Sequence, residues 1–400
     1  VTSTTPRLAR LLRITAAWIA LCAAVGLTLI GIKAIGTIDP EYAAKQRVWC
    51  MAALLATVLC MMPRPRVVGL CSYGLLLITL GLLAFVILPG VPGSIVPRIN
   101  SAQSWIDLRV MRVQPSELAK IAFVLAMAWY LRHRNSYRTL RGLLIPFGIM
   151  FVPVALILRQ PDLGTSMLFP PTLLVMLIAA GAKLRHVGWL IATAVAIIVV
   201  SVSAIYIAPR AAGMVLRPHQ QMRFKAMISQ ITNDPRYDDT VNYQPRKAKQ
   251  LVGSGQLWGY GAAKSATLTR AHRLPEAHND MIFAVIVNRW GLIGGLVILA
   301  LYAAMVGSFA MIAARSKDPF TRLVMVGFGG LLFTQATINI AVNIGLMPVT
   351  GITLPFVSYG GSSLVTMFVM IGLSINFASQ KARSPTRPSF EFDPPEPAMA

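Results

Sequence analysis

The chain has 400 residues, 56% hydrophobic and 13% charged, against about 25% charged in an ordinary soluble domain, so a soluble globular fold is excluded. The formal net charge is +23, but the cations sit in short loops, in tails and in one long polar segment, which points to positive-inside loops rather than to a nucleic-acid binder. The four cysteines, Cys22, Cys50, Cys60 and Cys71, lie in or beside apolar runs without metal-ligand spacing, which argues for small buried hydrophobes and against a disulfide framework.

Runs of near membrane-spanning length recur along the chain. Ten spans are expected, at 14–36, 48–62, 67–90, 114–132, 143–159, 163–181, 188–208, 291–313, 323–347 and 362–380. The fold class is therefore all-α, a polytopic integral membrane protein of about ten transmembrane helices. Arg7, Arg10 and Arg13 precede a first run too long for the apolar core of a signal peptide, so that run reads as a membrane helix. Basic short loops at Arg64/Arg66, Arg132–Arg141, Lys183/Arg185 and Arg315–Arg322 place both termini in the cytoplasm. The expected organisation is a cytoplasmic N-terminus at 1–13, a membrane domain at 14–380 containing a large extracytoplasmic loop at 209–280, and a proline-rich disordered cytoplasmic tail at 381–400. The outer loop 91–113 carries Arg98, Arg109 and Arg112 against the positive-inside trend.

Ionisable groups at membrane borders are costly and point to function or to buried pairing. In SWIDLRVMRVQPSELAK (104–120), Pro115 suits a first helical turn, and Glu117 and Lys120 share one helix face. That pair is either a structural ion pair or a substrate contact, and Trp105 is either an interfacial anchor or a sugar platform. In RQPDLGTS (159–166), Asp162 stands where a helix N-cap or a catalytic acid would stand. LPEAHND (274–280) gathers Glu276, His278 and Asp280 just before an apolar stretch. An N-cap there explains Asp280 but not its two companions, whereas partial burial of Asp280 raises its pKa and suits a general base. Gln335, Asn339 and Asn343 form one polar helical stripe, read as interhelical hydrogen bonding. The segment PVTGITLPFVSYGGSSL (348–364) cannot face lipid as a helix and must be buried in protein or line a cavity.

These motifs, QPSELAK, QPDLGTS, YQ (243–244), GSG (253–255), LPEAHND, NIGLMPVTGITLP (343–355) and SYGGSSL (358–364), occur together and in order along nearly the whole chain. The chain resembles the SEDS family (shape, elongation, division and sporulation), which includes RodA, FtsW and SpoVE. The resemblance implies a ten-helix, bacterial inner-membrane glycosyltransferase that polymerises lipid II into glycan strands with inversion. It implies a class B penicillin-binding protein as partner, within a cell-wall elongation or division complex. It places the catalytic base at Asp280. Substrate contacts are expected from Glu276, His278, Trp105, Glu117, Lys120, Asp162, Arg223, Tyr243, Gln244, Ser358, Tyr359 and Ser362. A divalent cation, Mg or Mn, suits the leaving pyrophosphate, with Arg223 and Lys225 as alternative anion partners; no organic cofactor is expected.

Several positions depart from the family pattern. Ser104 replaces an arginine, Lys247 and Ala248 follow YQ, Asn279 replaces a threonine, and Asn288 and Arg289 replace acidic residues. Thr350 differs from the lysine of division-type members, although Gly-Ile-Thr-Leu-Pro after it is division-like; the balance favours the RodA side. A flippase for a lipid-linked precursor and a non-catalytic scaffold for a transpeptidase are the competing functions.

Overall fold

The computed structural model describes residues 6–97, 103–109, 111–134, 136–207, 221–222, 225, 228–229, 232, 242–272, 274 and 276–380. The membrane helices in chain order are α1 (Pro6–Ile38), α2 (Pro40–Cys60), α3 (Pro65–Ile87), α4 (Pro115–His133), α5 (Leu144–Arg159), a short α6 (Leu163–Ser166) continued by α7 (Phe169–Ala180), and α8 (Leu184–Ile207). Two helices follow outside the bundle, α9 (Tyr243–Ser254) and α10 (Gly261–Ala271), and then α11 (Ile282–Arg315), α12 (Pro319–Asn343) and α13 (Gly361–Ser379). A two-stranded antiparallel hairpin, β1 (Ile106–Asp107) and β2 (Arg112–Val113), pairs Ile106 with Val113 between α3 and α4.

All ten expected segments fall on helices. Among the described residues eight helical spans are long and apolar enough to cross a membrane, so the chain is a multi-pass membrane protein. α4 adds a further helix from inside the bundle, carrying the buried pair Glu117 and Lys120. α1 lies along α11, α2 along α13 and α3 along α4, while α12 contacts α4, α7 and α11. Burial separates centre from rim: the apolar windows of α13 and α12 are 78% and 67% buried, those of α2 and α3 only 22% and 28%. The exposed leucines and valines of α2 and α3 therefore face lipid.

Helix starts follow local chemistry. Proline occupies the first turn of α2, α3, α4 and α12, where its missing N–H removes no bond. Asp39 caps α2 by accepting from the Glu41 N–H at 2.8 Å, and Asp318 caps α12 by accepting from the Thr321 N–H at 3.1 Å. α2 thus begins at Pro40, eight residues before the start expected from hydropathy. Its polar first turns, with Glu41, Tyr42, Lys45 and Gln46, are helix rather than loop.

α11 breaks at Gly291, whose φ of 70° and ψ of −169° interrupt the helical path. Ile282–Trp290 is consequently a separate segment, buried through Asn288, and the spanning part starts after the break, near the expected 291. The turn after α9 satisfies the freed backbone groups: Leu292 N–H donates to Gln256 O at 2.7 Å, and Tyr260 N–H donates to Asn288 O at 3.0 Å. The contact is so close that a Cβ on Gly291 would lie 2.1 Å from Leu257 O. Gly291→Ala is expected to cost about 1–3 kcal/mol from the left-handed backbone alone, and more from the overlap. A lowered Tm of the detergent-purified variant checks this; an unchanged Tm would mean the turn does not dock there.

Candidate active site

The site is built on the loop that joins α10 to α11, and α12 holds that loop. Asn339 and Asn343 donate from their side-chain amides to the Asp280 carbonyl at 2.9 and 2.8 Å. Asn343 Oδ1 also accepts from the Ala284 N–H at 3.1 Å, which fixes the first turn of α11. Asn339 donates to Ile352 O at 2.7 Å, and Gln335 donates to Thr353 O at 3.0 Å. The stripe makes the expected helix-to-helix bonds, from Lys120 to Gln335 and from Ala284 N–H to Asn343, but bonds mainly to loop backbone. The two irregular loops offer carbonyls that have no helical partner, and these are what the amides satisfy.

Within the segment 348–360, Ile352 and Leu354–Ser358 are buried in protein, as irregular backbone at membrane depth requires. Ser358 Oγ accepts from Leu354 N–H at 2.7 Å and donates to Asn279 O at 2.5 Å. Tyr359 N–H donates to His278 O at 2.9 Å. Gln46 of α2 brackets the same turn, donating to Ser358 O and accepting from Gly360 N–H, each at 3.2 Å.

These bonds leave the Asp280 side chain 7% exposed, with Oδ1 buried and without a hydrogen-bond partner. Asp280 does not cap α11, whose flanking residue is Met281. Burial, reinforced by the negative charge of Glu276 and opposed by the backbone N–H of Asp280, pushes its carboxyl up from 3.8 to about 7. Glu276 itself is exposed, sits at a φ of 50°, and accepts from the Asn279 amide at 2.6 Å.

An aromatic group adjoins the carboxylates. The His278 ring stacks on Tyr42 at 4.6 Å between centroids, and Tyr359 meets Tyr42 at 4.7 Å and His278 at 5.8 Å. Burial lowers the His278 pKa from its ordinary 6.5 against the pull of Glu276 and Asp39, so the imidazole is neutral at pH 7. Burial raises the Tyr359 pKa, and Lys45 and Arg112 act on it in the opposite sense. Lys45 Nζ lies 5.8 Å from the Tyr42 ring centre. Arg112 pairs with Asp107 across the hairpin at 3.1 Å, which gives one of the unexpected outer arginines a place beside the site.

A second polar cluster lies at the ends of α4, α6 and α13. Asp162 caps α6, accepting from Thr165 N–H at 2.9 Å and Thr165 Oγ1 at 2.7 Å. Gln114 Nε2 donates to the same carboxylate at 3.3 Å, and Gln114 N–H donates to Ser362 Oγ at 3.2 Å. Burial raises the Asp162 pKa, the Thr165 bonds oppose this, and the charges of Glu117 and Lys120 act on it in opposite senses. Lys120 Nζ pairs with Glu117 Oε1 at 2.9 Å and donates to Gln335 Oε1 at 3.0 Å, which ties this cluster to the α12 stripe. Glu117 Oε2 is buried without a partner.

The structure thus brings together Glu276, His278, Asp280, Ser358 and Tyr359; Glu117 and Lys120 reach the α12 stripe through Gln335, while Asp162 and Ser362 meet at Gln114. Trp105 is half-buried at the entry of the hairpin. Tyr243 and Gln244 stand on α9, where the Tyr243 hydroxyl donates to His272 O at 3.4 Å. Arg223 lies outside the described residues. Sequence reading missed Tyr42, Lys45 and Gln46; the Asp-Pro-Glu start of α2 is the signal that would have placed them on an outer helix end. Among the described residues no three His, Cys, Asp or Glu side chains converge as a metal centre.

Residues 9–383 match the model of a family described as cell cycle protein, comprising FtsW, RodA and SpoVE. The chain belongs to the FtsW/RodA/SpoVE family. It is 32% identical over 283 residues to the peptidoglycan glycosyltransferase MrdB of Escherichia coli K12, covering 70% of this chain and 72% of that one. It is 36% identical over 284 residues to a probable peptidoglycan glycosyltransferase FtsW of Thiomicrospira cyclica, covering 69% and 68%. A chain from a solved peptidoglycan synthase complex that coordinates polymerization and crosslinking superposes with a TM-score of 0.73 at 26% identity, covering 92% of this chain and 98% of that one.

The departures from the family pattern have structural uses here. Asn288 donates to Ser254 Oγ at 2.9 Å and to Leu251 O at 3.3 Å, fastening the end of α9. Arg289 donates to Lys33 O at 2.6 Å and to Thr37 Oγ1, at the C-terminal turn of α1 where a cation is favoured. Ser104 Oγ donates to Gln160 O at 3.3 Å. Lys247 lies 5.7 Å over the Tyr243 ring, and Ala248 is fully buried against the bundle.

Two outcomes follow from the charges. Glu117→Gln strands the buried Lys120 ammonium and is expected to cost about 3–5 kcal/mol, whereas Glu117→Leu combined with Lys120→Met restores much of the loss. Denaturation of both variants decides it, and equal stability to the parent would show the pair to be solvated. Because the folded pKa of Asp280 is raised, its contribution is fully present below about pH 4 and lost as pH rises through about 7. Asp280→Asn is therefore expected to melt higher than the parent at pH 8, by a difference of up to roughly 4 kcal/mol that vanishes at pH 4.

Proposed function

We propose that the protein is a peptidoglycan glycan-strand polymerase whose general base is Asp280. The observation that carries this reading is the Asp280 carboxylate: buried, without a partner on Oδ1, and poised near pH 7 at the border of a membrane bundle. A lipid-tethered sugar presents its reactive carbon at headgroup level, so the base must stand at that level. Asp280 removes the proton from the acceptor hydroxyl as its oxygen attacks the anomeric carbon of the lipid II-type donor. The bond from that carbon to the pyrophosphate oxygen breaks on the opposite face, which inverts the configuration. A base with a pKa near the working pH combines ionisation with adequate basicity.

Tyr42, His278 and Tyr359 offer ring faces for a sugar, and Lys45 and Arg112 offer positive charge to the leaving pyrophosphate. Asp280 and Glu276 also fit a divalent cation of the magnesium type, which takes one or two carboxylates and completes its shell with water and substrate phosphate. When bound, it would neutralise charge developing on the pyrophosphate. The partner in this reading is a class B penicillin-binding protein that crosslinks the strands, within an elongation or division complex. The orientation is that of the bacterial inner membrane, with both termini cytoplasmic and Asp280 outside.

The test is polymerisation of labelled lipid II by the purified chain with its cognate transpeptidase. Asp280→Asn is expected to lose at least about a hundredfold in rate while eluting as folded protein. Parental kcat/KM is expected to rise with pH and level off above about 7, as the free base ionises. A variant as fast as the parent removes the base assignment. Lipid II translocated without product by both proteins would make the chain a flippase.

A further inference from the structure

At the opposite end of α4 from Asp162 and Ser362, the structure holds a hollow of about 320 Å³ lined by Tyr73, Trp129, Tyr130, His133 and Arg134. Its shape comes from one residue. Gly69 on α3 lets the Trp129 indole lie flat against that helix; a Cβ there would be 2.2 Å from the Trp129 ring. Arg66, Gly69 and Tyr73 are three and four apart, so they share the α3 face that meets α4. The Trp129 ring is fixed by edge contacts to His133 at 4.7 Å and Phe320 at 5.4 Å.

The rim is cationic. Arg132 lies 5.2 Å over the Trp129 ring and reaches Asp318 at 3.4 Å, and that aspartate also caps α12. Among the described residues no carboxylate comes within ion-pair distance of Arg134 or Arg66. Positive-inside loops and aromatic belts account for such residue types at a membrane border. They do not account for a glycine-carved hollow that sets an arginine, a histidine and two tyrosines around one opening. Tyr73 stands eight residues into α3, roughly 12 Å from its start, within the apolar helix rather than in the preceding loop. Leu70 and Leu77 are exposed on the same helix, ready for acyl chains.

We propose that this hollow is a binding site for the phosphate of an anionic phospholipid, on the membrane face opposite the candidate active site. Arg134 takes the phosphodiester charge, Tyr73 donates its hydroxyl, Arg66 in the first turn of α3 adds positive charge on the same helix face, and α3 receives an acyl chain. The site is independent of the polymerase reading.

The test is native mass spectrometry of the full chain, delipidated in detergent and titrated with phosphatidylglycerol or phosphatidylcholine. A single phosphatidylglycerol adduct, favoured at least tenfold over phosphatidylcholine, is expected. It should fall at least fivefold in the Arg66→Gln/Arg134→Gln variant and stay unchanged in Arg315→Gln, an arginine at the same face on α11. Equal retention of the two lipids overturns the proposal. An equal loss in Arg315→Gln overturns it too, since binding is then diffuse attraction to the basic face. Displacement of the adduct by an equal concentration of inorganic phosphate would make the hollow a free-anion site and remove the lipid.

Discussion

Two side-chain amides on α12, Asn339 and Asn343, converge on the carbonyl of Asp280, and the candidate site depends on that grip. A loop at a membrane border has backbone groups that lipid cannot satisfy and water reaches only in part. The amides satisfy them from a helix that is itself central in the bundle. Because the same stripe also holds Ile352 O and Thr353 O, the 276–281 turn and the 348–360 segment are fixed relative to each other. Gln46 and Ser358 lock the second side of that junction. The Asp280 carboxylate is thereby left over: its carbonyl is engaged twice while its Oδ1 has nothing to bond.

The break in α11 serves the same end. An unbroken helix from Ile282 to Arg315 would carry its first turns onward along one axis. With the break at Gly291, Ile282–Asn288 is instead buried on every side. The turn 255–260 meets the exposed N–H groups at the break, so the outer helices α9 and α10 are joined to the bundle by hydrogen bonds rather than by apolar contact alone. Asn288 and Arg289, which replace family acids, fasten this joint to α9 and to α1. The added positive charge at these positions is spent on helix ends, and Asp280 retains a raised pKa dominated by burial.

Much of this was legible in the residues. Hydropathy located the membrane helices because lipid enforces one uniform rule on their surfaces. The Glu117–Lys120 pair followed from a spacing of three, and Asp162 as a cap followed from its place before Leu163. Proline and glycine in 348–364 revealed buried irregular backbone. Hydropathy failed where a helix begins in polar residues, so Tyr42, Lys45 and Gln46 were read as loop. The destination of the Gln335–Asn339–Asn343 amides was also invisible, because a polar stripe advertises hydrogen-bonding capacity and not its partner. No local pattern distinguishes a helix neighbour from a carbonyl that another loop brings from 59 residues away.

The distribution of strain argues for chemistry over scaffolding. Glu276 and Phe356 both adopt left-handed backbone without being glycine, at 50° and 64°, and they lie in the two loops that the α12 stripe holds together. Asp280, between those loops, keeps an ionisable group where burial opposes its charge. Each feature opposes folding, and a surface that only recruits a partner has no need of any of them. Functional sites are where natural sequences break local rules and compensate elsewhere. Here the compensation is visible in the amide stripe, the Ser358 bonds and the packed core around α13. The cost of a buried carboxylate is met by the bonds that surround it, and an acidic group with a raised pKa is what those bonds maintain.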